Sequence, residues 1–312
     1  MIKKEGENIK KLIDLHIHSN CSDGELSPKQ IIDEAKKNKV SVIAIADHDT
    51  VAAYTTSLFD YAKSQGIKLI PAVEMSTKIA KVGFHVLGYN FDLTNKNLLK
   101  KLSLLRNSRC DYLNKVANKL LDLGYILNIE NLNKIDAVTK AHIALDIISN
   151  KKNNKLLLKN FGHIPQKGEF IETVMNEGCP AFVNKESITP KEASDLIHNA
   201  GGKVVLAHPV AYKYEDNLNV HQILELIKDM NADGIEGNYI YIDKNKNKIN
   251  EANFWNNVAK EVGLISTIGS DFHVANGIYP VIGLINEDIN LDEKETSELI
   301  NWIEKPNKKD IL

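Results

Sequence analysis

The chain has 312 residues, about twice a typical single domain and close to one large α/β barrel of ~250 residues with insertions. With 43% hydrophobic and 26% charged residues it has the composition of a folded globular protein, which excludes disordered, collagen-like and coiled-coil classes. Thirty-nine Lys plus Arg stand against 41 Asp plus Glu, a net charge of −2, so there is no global basic field for long duplex nucleic acid or a membrane, and any phosphate recognition must be local.

Residues 12–17 read as a strand and 28–37 as a helix with Ser27 as N-cap and Pro28 at its first position. Residues 40–46 are a second strand, 51–64 a helix with Thr50 as the favoured cap, 67–73 a third strand and 84–89 a fourth. This alternation predicts a parallel sheet of βα units. The rhythm then breaks, and residues 95–186 read as a helical insertion. It returns with a helix at 190–199, a strand at 204–207, a helix at 220–230, a strand at 234–236, a helix at 250–262 and a strand at 264–268. A strand at 282–285 and a helix at 291–303 close the chain. The domains expected are therefore 1–94 with 187–312, and 95–186.

The three cysteines form no CxxC pair, and neither an export signal nor a long apolar run is visible, so a reducing cytoplasm is the expected compartment. Only Arg106 and Arg109 are arginines among the 39 basic residues. They lie three apart in a helical stretch, on one face, where they either grip a phosphate through their guanidinium forks or stand as solvated charges.

Six of the ten histidines fall at or beyond the ends of predicted strands: His16, His18, His48, His85, His208 and His273. Asp23, Asp47, Asp49, Glu74, Glu236 and Asp271 share those locations. In βα barrels the C-terminal strand ends converge on one face, and imidazole with carboxylate is a ligand set for Zn, Mn or Fe. In Asp14-Leu15-His16-Ile17-His18 alternate residues point the same way, so two imidazoles can hold one ion. Asp14 or Asp47 can accept the second ring N–H of a ligand histidine. Asp49 and Glu236 stay open, the latter as an acidic wall or as a lysine's partner. His198 and His221 read as solvated helix residues.

The ordered motifs DLHIHSNCSDGELSP, AIADHDTV, PAVEMS, GFHVLGY, VVLAHPV and IGSDFH resemble those of the PHP (polymerase and histidinol phosphatase) family, and within it a subgroup of small-nucleotide phosphoesterases. The resemblance implies an α/β fold, a distorted (β/α)7 barrel carrying two to three divalent ions (Mn, Fe or Zn) on its C-terminal face. It implies that His16, His18, Glu74 and Asp271 hold the first ion, Glu74, His85 and His208 the second, and Asp23, His48 and His273 the third. Glu74, Asp271 and His208 are thus expected at the catalytic centre, where paired ions activate a hydroxide for displacement at phosphorus.

The subgroup removes the 3′-phosphate of nucleoside 3′,5′-bisphosphates and trims short 5′-phosphorylated RNA. Its insertion carries an Arg-x-x-Arg helix, matched by Arg106 and Arg109, which implies a grip on the uncleaved phosphate and makes the insertion one wall of the substrate pocket. A Gly-Arg-Pro-His feature reads here Thr139-Lys140-Ala141-His142, a departure that bears on substrate choice while leaving Lys140 and His142 as phosphate-binding candidates. A small phosphorylated substrate is the expected partner. Histidinol phosphate, a cyclic ribose phosphate and a non-catalytic PHP module are the alternatives.

Overall fold

The computed structural model describes residues 12–305, apart from 133–134, 136–137, 184–186, 244, 276, 278–280, 284 and 290. The chain divides into two compact units, Met1–Leu99 with Ile188–Leu312, and Lys100–Ser187.

Among the described residues the first unit has nine strands: β1 (Leu12–Ile17), β2 (Val40–Ile45), β3 (Lys68–Ile79), β4 (Val82–Tyr89), β5 (Lys203–Leu206), β6 (Gly234–Asn238), β7 (Ile240–Ile242), β8 (Lys248–Asn250) and β9 (Ile265–Ile268). Seven of them form one sheet in the order β1-β2-β3-β4-β5-β6-β9, and β7 with β8 makes a separate hairpin. A parallel bridge from Ile17 to Phe272, in which the His18 N–H donates to the Phe272 carbonyl over 2.8 Å, returns the chain after β9 to β1. This is the distorted (β/α)7 barrel. Alternating strand residues such as Ile13, Leu15, Val42, Ala44, Ile70 and Val205 join one apolar cluster with Leu299 and Ile303 of the last helix. Ile17, Ile43 and Ile45 pack with Ile31, Ile32, Leu58 and Ala62 of the first two helices.

The expected all-parallel sheet is corrected at β4, which runs antiparallel to both β3 and β5. β3 does not stop at Val73 but continues through Glu74 to Ile79 and pairs with β4 as a hairpin. The second helix begins at Thr56, not 51, because Thr55 is its N-cap, its side chain accepting from the Leu58 N–H. Thr50 instead accepts from the Ala52 N–H at 3.2 Å. Of the strand expected at 282–285, the described residues form none. Gly283 turns there with φ 81°, its N–H held by Asp14 Oδ2 at 2.9 Å, and Ile285–Asp288 is helical.

The second unit is helical, comprising most of Lys96–Asp122 together with Ile129–Leu132, Lys140–Ser149, Asn154–Phe161 and Lys167–Phe170. Its own core includes Leu113, Val116, Leu120, Ile143, Ile147, Leu157 and Phe170. Among the described residues no helix is long and apolar enough to cross a membrane.

Pro71 stands opposite Ile45 in the β2–β3 ladder and has no N–H to donate. The Tyr54 hydroxyl fills the gap, accepting from the Ile45 and Ala72 N–H groups (3.0 and 2.9 Å) and lying 2.8 Å from the carbonyls of both Ile45 and Ile70. Tyr54→Phe removes this partner from buried backbone groups and should lower stability by ~1–3 kcal/mol. A thermal melt checks it, and an unchanged midpoint contradicts it.

Candidate metal centre

The His-x-His pair leaves the end of β1 with the two Nε2 atoms 3.1 Å apart. Glu74 is carried by β3 beside the segment that follows β2, since its N–H donates to the Asp47 carbonyl and its carbonyl accepts from the Asp49 N–H (3.2 and 2.9 Å). That pairing sets His48 next to Glu74. His85 lies fourth in β4, not at a C-terminal strand end as expected, and it reaches the same face because β4 runs the other way. His208 and Asp271 follow β5 and β9 in left-handed backbone, with φ of 28° and 52°, a strain that clusters at functional sites.

Three groupings result. His16, His18, Glu74 and Asp271 form the first: Glu74 Oε2 is 3.3 and 3.1 Å from the two Nε2 atoms, and Asp271 Oδ1 is 3.4 and 3.2 Å from them. In the second, Glu74 Oε1 is 3.0 Å from His85 Nδ1 and 3.2 Å from His208 Nε2, while His48 Nδ1 faces Oε2 at 3.1 Å. In the third, Asp23 Oδ1 is 3.4 Å from both His18 Nδ1 and His273 Nε2, and its Oδ2 is 3.7 Å from His48 Nε2. All nine residues expected from the sequence converge, with His18 and His48 each presenting both ring nitrogens.

The donor set suits divalent cations. Donors ~2.1 Å from one ion lie roughly 3 to 3.5 Å from one another, as these do. Nitrogens facing nitrogens at 3.1 and 3.2 Å gain little from each other, yet both suit a shared cation. His208 Nδ1 is buried without a hydrogen-bond partner, and Asp23 Oδ1 and His48 Nδ1 face their opposite groups without forming a hydrogen bond, an arrangement that is costly for a purely structural cluster. His85 and His273 keep 35% and 33% of their side chains exposed, so the centre meets solvent at these two residues.

A family model described as "PHP domain" matches residues 14–176. A 5′-3′ exoribonuclease of Haemophilus influenzae is 33% identical over 274 residues, covering 86% of this chain and 92% of the relative. The chain belongs to the PHP family. A 3′,5′-nucleoside bisphosphate phosphatase of Chromobacterium violaceum is 25% identical over 265 residues, covering 84% of this chain and 87% of that one. The fold is shared with a solved structure assigned as a metal-dependent phosphoesterase of Bifidobacterium adolescentis, at TM-score 0.68 and 20% identity over 93% of this chain and 96% of that one. This PHP chain is a metal-dependent hydrolase.

Several residues of the PHP centre differ from the sequence expectation. Neither Asp14 nor Asp47 accepts from a ligand ring. Asp14 takes the Ser270 and Gly283 N–H groups, both at 2.9 Å, and Asp47 takes Ser19 N–H, Ser19 Oγ and Ser22 Oγ at 2.6–2.7 Å. Both brace the loops that carry the ligand-type residues. Asp49 Oδ1 accepts from the Ser76 N–H at 2.9 Å. Glu236, wholly buried, is neither a wall nor a lysine's partner: its Oε1 lies 2.9 Å from His16 Nδ1. Tyr239, unmarked in the sequence, donates to Asp271 Oδ2 at 3.2 Å, and Tyr212 accepts from the His85 N–H at 2.9 Å. His198 is buried against Asp233 at 2.8 Å, not solvated.

In the second unit, Arg106 is half-buried on Lys96–Asp122, and the Arg109 side chain lies outside the described residues. Thr139 caps Lys140–Ser149, with His142 accepting back from the Thr139 N–H at 3.2 Å. Lys140 Nζ donates to Asn176 Oδ1 at 2.9 Å. His142 thus has a capping role that its sequence neighbourhood did not announce.

Burial opposes charge on Asp23, Glu74 and Asp271, yet the surrounding imidazoles hold all three below the usual carboxylate range. Burial likewise opposes a proton on His16 and His18, but the carboxylates outweigh it, raising His16 well above its ordinary value and His18 to about 10. His48 goes the other way, since burial, seconded by His18 and His85, overcomes Glu74 and Asp23. Without a cation, protons supply the positive charge that the carboxylates demand. A ring must lose its proton to ligate, and His18 holds one below about 10. Mn or Zn binding near pH 8 should therefore release protons, and affinity should rise with pH over the neutral to mildly alkaline range. Calorimetry in buffers of different ionisation enthalpy should give different apparent enthalpies; a buffer-independent value contradicts the competition.

Proposed function

We propose that this PHP chain is a phosphoesterase acting on a small phosphorylated metabolite, its substrate being the 3′-phosphate of a nucleoside 3′,5′-bisphosphate or a short 5′-phosphorylated oligoribonucleotide. The observation that carries the reaction class is Glu74, whose two oxygens face two separate sets of imidazoles. The substrate class is supported by the activities for which the relatives are named, an exoribonuclease and a bisphosphate phosphatase, and by the arginine pair of the insertion.

In this reading His16, His18, Glu74 and Asp271 hold one ion, Glu74, His85 and His208 a second, and Asp23, His48 through Nε2 and His273 a third. Divalent ions there supply Lewis-acid polarisation of phosphoryl oxygens and an acidified water for in-line attack. The chain's part is to fix the geometry in advance. Glu74 ties the first two positions together, Tyr239 orients Asp271, and Tyr212 fixes the backbone of His85. The exposed edge at His85 and His273 admits the phosphate, and no serine or cysteine nucleophile is required. Arg106, Arg109, Lys140 and His142 are proposed, on the sequence resemblance, as contacts for the phosphate that is not cleaved.

A metal-loaded screen of 3′-phosphoadenosine 5′-phosphate, histidinol phosphate and cyclic ribose phosphates should favour the first. Glu74→Ala should lose at least two ions by elemental analysis along with activity; unchanged metal content contradicts its bridging place. Replacing Arg106 or Arg109 by Ala should lower kcat/KM for the bisphosphate by roughly 10 to 100-fold, the worth of a charge-assisted contact, while sparing a simple aryl phosphate. Equal losses on both substrates contradict the phosphate-grip role.

A further inference from the structure

Glu236 is fully buried at the end of the barrel where β6 lies between β5 and β9. Its Oε1 is 2.9 Å from His16 Nδ1, and its Oε2 accepts the His208 N–H at 2.9 Å. Those two histidines then converge on the opposite carboxylate, His16 Nε2 at 3.3 Å from Glu74 Oε2 and His208 Nε2 at 3.2 Å from Glu74 Oε1. The result is a closed circuit of two carboxylates and two histidines, the imidazole rings near-parallel at 18° with centroids 6.0 Å apart.

We propose that Glu236 is a positioning residue that sets both ion positions sharing Glu74, by fixing the ring of His16 and the backbone of His208 at once; this rests on the metal-centre reading above.

Each oxygen has a separate task. Glu236 Oε1 is an acceptor, so His16 carries its proton on Nδ1 and turns the Nε2 lone pair toward Glu74 and Asp271. Glu236 Oε2 holds the N–H of a residue at φ 28° and ψ 61°, a conformation that persists only where its surroundings over-determine it. Without that contact His208 has no reason to keep the backbone angle that aims its ring at Glu74. Space for the carboxylate is made by Gly269, immediately after β9. A Cβ there would stand 2.4 Å from Glu236 Oε1 and 2.2 Å from His16 Cβ, so a side chain at 269 cannot coexist with the present Glu236–His16 contact. Glu236 touches neither Asp23 nor His273 in this arrangement, and the third position is outside its reach.

The test is Mn binding by chelator competition on full-length wild type, Glu236→Gln, Glu236→Ala and Gly269→Ala, with the ring N–H signal of His16 followed by NMR. The glutamine amide offers a single oxygen, so it can serve His16 or the His208 N–H but not both. Folded variants should bind Mn at the two Glu74-sharing positions ~10 to 100-fold more weakly with the Asp23 position unchanged. The His16 Nδ1–H signal should be lost or shifted in Glu236→Ala and in Gly269→Ala. A role confined to stability would lower the melting temperature and leave both readouts alone. If Glu236→Ala does not fold, Glu236→Gln and Gly269→Ala decide: weakened Mn binding in both supports the proposal, and wild-type binding in either overturns it. Wild-type protein that takes up no Mn overturns the metal reading itself, a result distinct from equal binding by all four proteins.

Discussion

The interaction on which the rest of this structure depends is the burial of the Glu74 carboxylate among imidazoles. A carboxylate 1% exposed needs compensating charge, and five histidines, His16, His18, His48, His85 and His208, face it within 3.3 Å, while His273 joins the cluster through Asp23 and Asp271. The carboxylates and imidazoles do not all satisfy one another: Asp23 Oδ1, His48 Nδ1 and His208 Nδ1 are buried without a hydrogen bond, the first two despite facing opposite groups at 3.1–3.4 Å. Divalent cations bound among these donors would satisfy them together. The same electrostatics makes protons the competitors of those cations, which couples metal affinity to pH.

The barrel exists, in this light, to bring distant segments to one end. Parallel strands deliver residues at their C-terminal ends, and the antiparallel β4 adds His85 from its middle. Left-handed backbone at His208 and Asp271 bends the chain inward as it leaves β5 and β9. Beneath the ligand-type residues lies a layer that braces them: Asp14 and Asp47 hold the loops that carry them, Tyr212 and Tyr239 hold His85 and Asp271, and Glu236 holds His16 and His208. Pre-organisation of this kind lowers the cost of assembling like-charged groups once, during folding, so that a substrate phosphate meets a fixed geometry.

Much of this was legible in the sequence. The His-x-His pair is a local pattern whose geometry follows from strand alternation, and the βα rhythm places it and the Asp-His-Asp triplet after β2 at one end of a barrel. The direction of β4 was not legible, because hydrophobic periodicity is blind to strand polarity, and so His85 was expected for the wrong reason. Glu236 was invisible in role, since an acid at a strand end looks the same whether it faces lysine or an imidazole. Thr50 and Thr55 are both sound N-cap residues five apart, and only the packing of the helix chooses between them. The run 282–285 has strand composition, but the tie from Gly283 to Asp14 makes a turn at Ile282 and Gly283. His198 has a helical spacing that says nothing of the Asp233 waiting on the next unit of the barrel.

The central claim is that the Glu74-centred cluster holds divalent ions that the hydrolase uses. Anomalous diffraction from crystals grown with Mn tests it most directly. At least two Mn peaks should flank Glu74, one among His16, His18 and Asp271 and one toward His85 and His208. Diffraction showing Mn elsewhere, or no Mn within coordination distance of Glu74, would contradict it.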